Sequence, residues 1–76
     1  MDVNLSPDGK TIVFDLIGDL YTVPVSGGSA KQLTRGLARN THPVWSPDGK
    51  SIAYIRPVNS DLGLHNQIFV LELGKN

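Results

Sequence analysis

The sequence predicts an all-β protein made of two copies of one small strand unit, four antiparallel strands and then three. Three observations carry that expectation. The pentapeptide Ser-Pro-Asp-Gly-Lys occurs at Ser6 to Lys10 and again forty residues later at Ser46 to Lys50, and an identical repeat at such a spacing signals stacked copies of one unit. Each copy leads into a strand-like apolar run, Thr11-Ile12-Val13-Phe14 and Ser51-Ile52-Ala53-Tyr54. Five prolines and eight glycines interrupt the 76 residues and no long stripe of 3.6-residue period crosses them, so helix has little support.

Val3 to Leu5 reads as the first strand. Ser6-Pro7-Asp8-Gly9 suits a type I turn, with proline presetting φ at the second position and glycine taking the left-handed conformation at the end. Such a turn closes a three-residue hairpin loop with a bulge, which sends Thr11 to Leu16 back as the second strand. Gly18-Asp19 turns into a third, Leu20 to Val25, where Pro24 implies that the last residues lie outside regular pairing. Ser26-Gly27-Gly28-Ser29 then turns into a fourth strand, Lys31 to Thr34.

A loop from Arg35 to Thr41 leads to the second copy. Pro43-Val44-Trp45 aligns with Val3-Asn4-Leu5, and Ser46-Pro47-Asp48-Gly49 repeats the turn. Lys50 to Arg56 matches the second strand and Gln67 to Leu73 the third. Leu20-Tyr21-Thr22-Val23 aligns with Ile68-Phe69-Val70-Leu71 at an offset of forty-eight, so eight extra residues fall in the second connection, Arg56 to Asn66. At that offset the counterpart of Gln32-Leu33-Thr34 lies past Asn76, and the second unit is expected to lack its fourth strand.

In the second strands Ile12, Phe14 and Leu16 oppose Val13, and Ile52 and Tyr54 oppose Ala53 and Ile55. Strands apolar on both faces belong inside a stack of sheets. Four short strands per roughly 40 residues is the grammar of a β-propeller blade. The expected fold is therefore about two β-propeller blades, an incomplete propeller, in one domain over residues 1–76. Blade one covers about 2–36 and a partial blade two about 41–74.

Seven acidic and seven basic residues balance, which removes the electrostatic ground for nucleic acid as a partner. No apolar run approaches the ~18 residues of a membrane span, so no membrane insertion is expected. Cysteine is absent, which excludes disulfides and thiolate metal sites. The first residues show no signal peptide.

Asp8 and Asp48 form a pair of carboxylates that could do acid–base work, but each has a local role, since aspartate side chains bond nearby backbone amides in turns. His42, His65, Asp61 and Glu72 lack metal-ligand spacing. Ser6, Ser46 and Ser60 sit in no nucleophile elbow, and Gly27-Gly28-Ser29-Ala30-Lys31 lacks phosphate-loop spacing. Asn4-Leu5-Ser6 is a formal glycosylation sequon at a strand end. No catalytic residue, cofactor or metal is expected. Trp45, the largest hydrophobe, reads as a packing residue of an inner strand, with ligand stacking as the alternative.

Trp45-Ser46-Pro47-Asp48-Gly49-Lys50-x-Ile52-Ala53-Tyr54 resembles the WD-repeat-like propeller repeat of TolB-type proteins. So does Leu20-Tyr21-x-Val23-Pro24-x-x-Gly27-Gly28-x-x-x-x-Leu33-Thr34. The run from Val3 to Tyr21 is similar to the start of the propeller that precedes the catalytic domain in certain bacterial amidohydrolases, and tricorn-type protease propellers are a more distant match. The resemblance covers about residues 3–73 and departs at Arg56 to Asn66. It implies a propeller, often periplasmic, with catalysis in other domains and no catalytic residue at the matched positions. It also implies that Thr41-His42-Pro43 opens onto a channel where partners bind.

Two blades would leave sheet faces uncovered and make Gln67 to Leu73 an open edge strand. The expected function is a non-catalytic interaction or scaffold module that binds itself, as a homo-oligomer, or another protein. The expected contact residues are His42, Trp45, Ile68 and Val70. The alternative is an accessory N-terminal propeller piece of a larger bacterial amidohydrolase or protease.

Overall fold

A computed structural model describes residues 1–36 and 39–73. Part of the loop expected at 35–41 and the limit of the second unit at residue 74 lie outside the described residues. Strands β1 (Val3–Leu5), β2 (Thr11–Leu16), β3 (Asp19–Pro24) and β4 (Lys31–Gln32) form one sheet in that order. Strands β5 (Thr41–Trp45), β6 (Ser51–Ser60) and β7 (Gly63–Glu72) form a second. Every pairing is antiparallel, and the described residues contain no helix. The structure is all-β, in two open sheets of four and three strands.

The sheets pack face to face. Val13 and Leu20 from the first meet Ile52 and Tyr54 from the second, and Leu33, Trp45, Phe69, Leu71 and Leu73 close around them. Alternation along the strands fixes which residues can meet. Paired residues share a face, so Asn4, Val13, Leu20 and Thr22 point toward the second sheet, and Leu5, Ile12, Phe14, Tyr21 and Val23 point away. In the second sheet Trp45, Ile52, Tyr54, Phe69 and Leu71 point inward, and Val44, Ala53, Ile55, Ile68 and Val70 outward. The same aromatic pair recurs in both: Phe14 stacks on Tyr21 at 5.4 Å and Tyr54 on Phe69 at 5.9 Å between ring centroids.

Several local expectations change. Pro24 is not outside the pairing but opposite Thr11. Val25 donates to the Lys10 carbonyl at 2.8 Å, so odd residues of β3 bond to β2. The missing N–H of Pro24 therefore faces the β4 side, beyond the end of β4. Pro57 is tolerated in β6 for the same reason, because its nitrogen faces β5 beyond the last pair, Thr41 with Ile55. Proline fits a sheet where it deprives no ladder of a donor. The fourth strand is shorter than Lys31 to Thr34, although Leu33 still donates to the Leu20 carbonyl at 2.7 Å.

The connection Arg56 to Asn66 is hairpin rather than loop. Leu16 pairs with Asp19 across the first hairpin, and their counterparts Arg56 and Gln67 pair across the second. The eight extra residues add four pairs, from Pro57 with Asn66 to Ser60 with Gly63. At the first tip Ile17 and Gly18 both have positive φ, 51° and 84°, as a type I′ turn requires. At the second tip the left-handed position falls on Gly63, φ 98°.

Candidate functional site

The repeated turn is built alike in both copies. The amide of Gly9 donates to the Ser6 carbonyl at 2.9 Å, as does that of Gly49 to Ser46, with the glycines at φ 75° and 73°. Because glycine occupies that carbonyl, the amide of Thr11 turns to the Ser6 hydroxyl instead, at 3.0 Å, and that of Ser51 to the Ser46 hydroxyl at 3.0 Å. Each hydroxyl donates a hydrogen bond to the aspartate two residues on, Ser6 to Asp8 and Ser46 to Asp48, both at 2.6 Å. The same carboxylate oxygens accept the amides of Lys10 and Lys50 at 2.9 Å. Ser6 and Ser46 also donate their amides to the carbonyls of Thr11 and Ser51, at 2.8 and 2.9 Å. The hairpin loop thus has four residues, Pro7 to Lys10 and Pro47 to Lys50, not the three expected.

These bonds set the chemistry. The serine hydroxyl first, then the lysine amide, holds each aspartate carboxyl below its ordinary value of 3.8. An acid–base catalyst needs a pKa near its working pH, and these carboxylates are pushed the other way. The two turns lie side by side: Ser6, Pro7, Asp8, Thr11, Trp45, Asp48 and Gly49 line a cleft of about 190 Å³. Every residue of the cleft serves the turns or the packing between the sheets.

Lowered carboxyls make stability pH-dependent in a stated direction. The folded value lies below the unfolded one, so the contribution is complete above the unfolded value near 3.8 and is lost as pH falls through the folded value. Urea midpoints should hold level from neutral pH down to about 5 and drop below about 4. The double variant Asp8→Asn, Asp48→Asn should show a shallower drop. Equal acid sensitivity in the two proteins would contradict this account.

His42 sits at a kink. Its φ is 56°, and the register of β5 on β6 shifts between Thr41 and Val44. The ring Nε2 lies 3.3 Å from Asp2 Oδ2 at an exposed site, and Nδ1 lies 3.0 Å from the Thr41 hydroxyl. This contact joins the start of β1 to that of β5 at the surface. The other residues considered for a metal are elsewhere. Glu72 accepts from the Ser51 hydroxyl at 3.1 Å, and His65 lies 3.5 Å from the Ser60 hydroxyl at the long hairpin's exposed end. Among the described residues no cluster of histidine and carboxylate has the makings of a metal site.

Trp45 is locked between the sheets. Its amide donates to Asn4 Oδ1 at 3.0 Å and its indole N–H to the Asn4 carbonyl at 3.1 Å. Ile68 and Val70 lie on the outer face of β7, exposed. The sequence reading missed a polar latch between the sheets. Asn40 Oδ1 accepts from Arg56 Nε at 2.9 Å, and Asn40 Nδ2 donates to the Thr34 hydroxyl at 3.3 Å. That hydroxyl donates to Asp19 Oδ1 and accepts the Leu20 amide, both at 3.0 Å. The Arg56 guanidinium lies 4.5 Å from the Phe69 ring centroid, a cation–π distance. Neither Asn40 nor Arg56 belongs to a motif; Asn40 lies just before β5, and the pairing of β5 with β6 brings it to Arg56.

No protein-family model matches the chain. Over 56 residues it is 45% identical to an uncharacterized peptidase, YuxL, of Bacillus subtilis, a match covering 67% of this chain and 8% of that protein. It is 38% identical over 53 residues to an uncharacterized protein of Agrobacterium fabrum, covering 64% of this chain and 18% of the relative. It is 34% identical over 64 residues to dipeptidyl-peptidase 5 of Porphyromonas gingivalis, covering 71% and 9%. The chain spans less than a fifth of the length of each of these relatives, two of which are named as peptidases.

Proposed function

We propose that the chain is two consecutive β-propeller blades, non-catalytic in themselves, that serve a larger peptidase whose catalytic domain lies elsewhere. The observation that carries this reading is the lopsided match: most of this chain corresponds to a small part of proteins named as peptidases. The two sheets support it, because each is a four-strand or three-strand antiparallel unit of the blade type, packed face to face through the repeated strands. The TolB-type wording around Trp45 to Tyr54 points the same way. Between the two readings of the sequence, the named relatives favour the accessory piece over a free-standing scaffold, and a peptidase over an amidohydrolase.

The paired turns then have a structural task. They hold the inner strands β1 and β5 to the next strands, and their aspartates are ionised turn caps. Sequencing the gene on both sides of the coding segment tests the proposal. Further units with Ser-Pro-Asp-Gly turns, followed by a hydrolase segment, are expected in the same frame. The purified 76-residue chain should hydrolyse no peptide substrate above the buffer rate. Stop codons directly flanking the segment, or peptidase turnover by the chain alone, would overturn it.

A further inference from the structure

The internal contact between the two sheets is a template for a second one. Each residue of β1, β2 and β3 has a counterpart in the second sheet, forty residues on before the second hairpin turn and forty-eight after it. The face of the first sheet that the second covers, Asn4, Val13, Leu20 and Thr22, corresponds to Val44, Ala53, Ile68 and Val70. Leu20 is 0% exposed and Ile68, at the same position of the repeat, is 70% exposed. On the other side, the covering residues Trp45, Ile52, Tyr54, Phe69 and Leu71 correspond to Leu5, Ile12, Phe14, Tyr21 and Val23. This second set faces away from the core, and Phe14 and Tyr21 keep the same stacked geometry as Tyr54 and Phe69. One molecule therefore carries both halves of its own interface, on opposite sides.

The substitutions between copies fit this. Inside the molecule Asn4 bonds the amide and indole of Trp45. Their counterparts are Val44 and Leu5, so both the acceptor side chain and the indole donor are replaced by apolar groups. The buried Asp15, whose carboxylate accepts the Asp2 amide at 3.2 Å, is matched by Ile55. At Val44, Leu5 and Ile55 the outer faces carry apolar groups where the inner faces have Asn4, the Trp45 indole and Asp15.

We infer that in the isolated 76-residue chain a second copy covers these faces, head to tail, in the place that neighbouring units of the longer protein of the preceding reading would take. The Leu5–Phe14–Tyr21 face of one copy sits on the Val44–Ile68–Val70 face of the next. The contact uses different surfaces on the two partners, and such contacts continue into rings or filaments. The inference shares with the preceding reading only the equivalence of the two sheets. Flanking stop codons would overturn that reading and leave this one standing, whereas a monomeric chain would overturn this one alone.

Sedimentation velocity on the purified chain tests it. The unmutated protein should form larger species as concentration rises. Leu5→Lys and Val70→Lys place a charge on one face each, at positions 56% and 59% exposed, and each should weaken association by about a hundredfold. Mixed together, the two variants should form a one-to-one dimer and stop there, because each keeps the face the other has lost. Circular dichroism checks that the variants are folded, and Ile68→Lys replaces Val70→Lys if it is not. A monomeric unmutated chain, assembly that survives both single substitutions, or failure of the mixed variants to pair would overturn the inference.

Discussion

Leu20→Ala is expected to cost about 3 kcal/mol of folding stability, within the 2–5 kcal/mol range for such truncations in a core. Leu20 has no exposed surface and lies in the central contact with Val13, Ile52 and Tyr54. Folded domains are stable by only about 5–15 kcal/mol, and a chain of 76 residues buries too little to sit at the top of that range. One truncation should thus remove a large share of the total. The control is Ile68→Ala, the same place in the repeat. At dilute concentration it should change stability by about 0.5 kcal/mol or less, because its side chain is largely in water. Urea denaturation read by circular dichroism compares the two. Equal costs would mean that the two sheets do not pack through the face assigned here.

The repeat made most of the strand order legible. Ser-Pro-Asp-Gly has one compatible turn chemistry, and its recurrence located β1, β2 and the end of β5 at Trp45, whereas β5 begins at Thr41, not Pro43, and β6 at Ser51, not Lys50. Which face of β2 lies inward was harder to read. Ile12, Phe14 and Leu16 form the more apolar set, yet Val13 and Asp15 are the buried residues, since the inward face also holds the polar groups that join the sheets. The loop length was misread because the role of the serine hydroxyl, which takes the Thr11 amide from the expected carbonyl, is a side-chain event that turn statistics do not register. The hairpin beyond Arg56 was hidden for another reason. Pro57, Asn59 and Ser60 are poor strand formers, and there pairing with the strand opposite overrides propensity. Of the candidate site residues, the turn set was readable from type and spacing. Asn40 and Arg56 were not, because they are sixteen residues apart and meet only once β5 lies on β6.

Asn40→Ala should then be the most costly polar substitution, about 2–3 kcal/mol. The side chain is 2% exposed and both its polar atoms are in use, to Arg56 and to the Thr34 hydroxyl. That hydroxyl already donates to Asp19 and accepts the Leu20 amide, so with Asn40 it has one bond given and two received, its full capacity. Removing Asn40 leaves Arg56 Nε without its acceptor beside the Phe69 ring. Asn40→Asp should recover only part of that cost, because a carboxylate keeps the bond from Arg56 but sets an acceptor against the Thr34 hydroxyl, whose one proton goes to Asp19. The decisive measurement is a double-mutant cycle of Asn40→Ala with Arg56→Met in urea denaturation. Methionine keeps the apolar contact with Phe69, so the cycle isolates the polar link, with an expected coupling of about 1–2 kcal/mol. A coupling near zero would show that the two sheets are held by the apolar core around Val13, Leu20, Ile52 and Tyr54 and by the bonds of Trp45 to Asn4. The latch would then be a consequence of their packing and not a contributor to it.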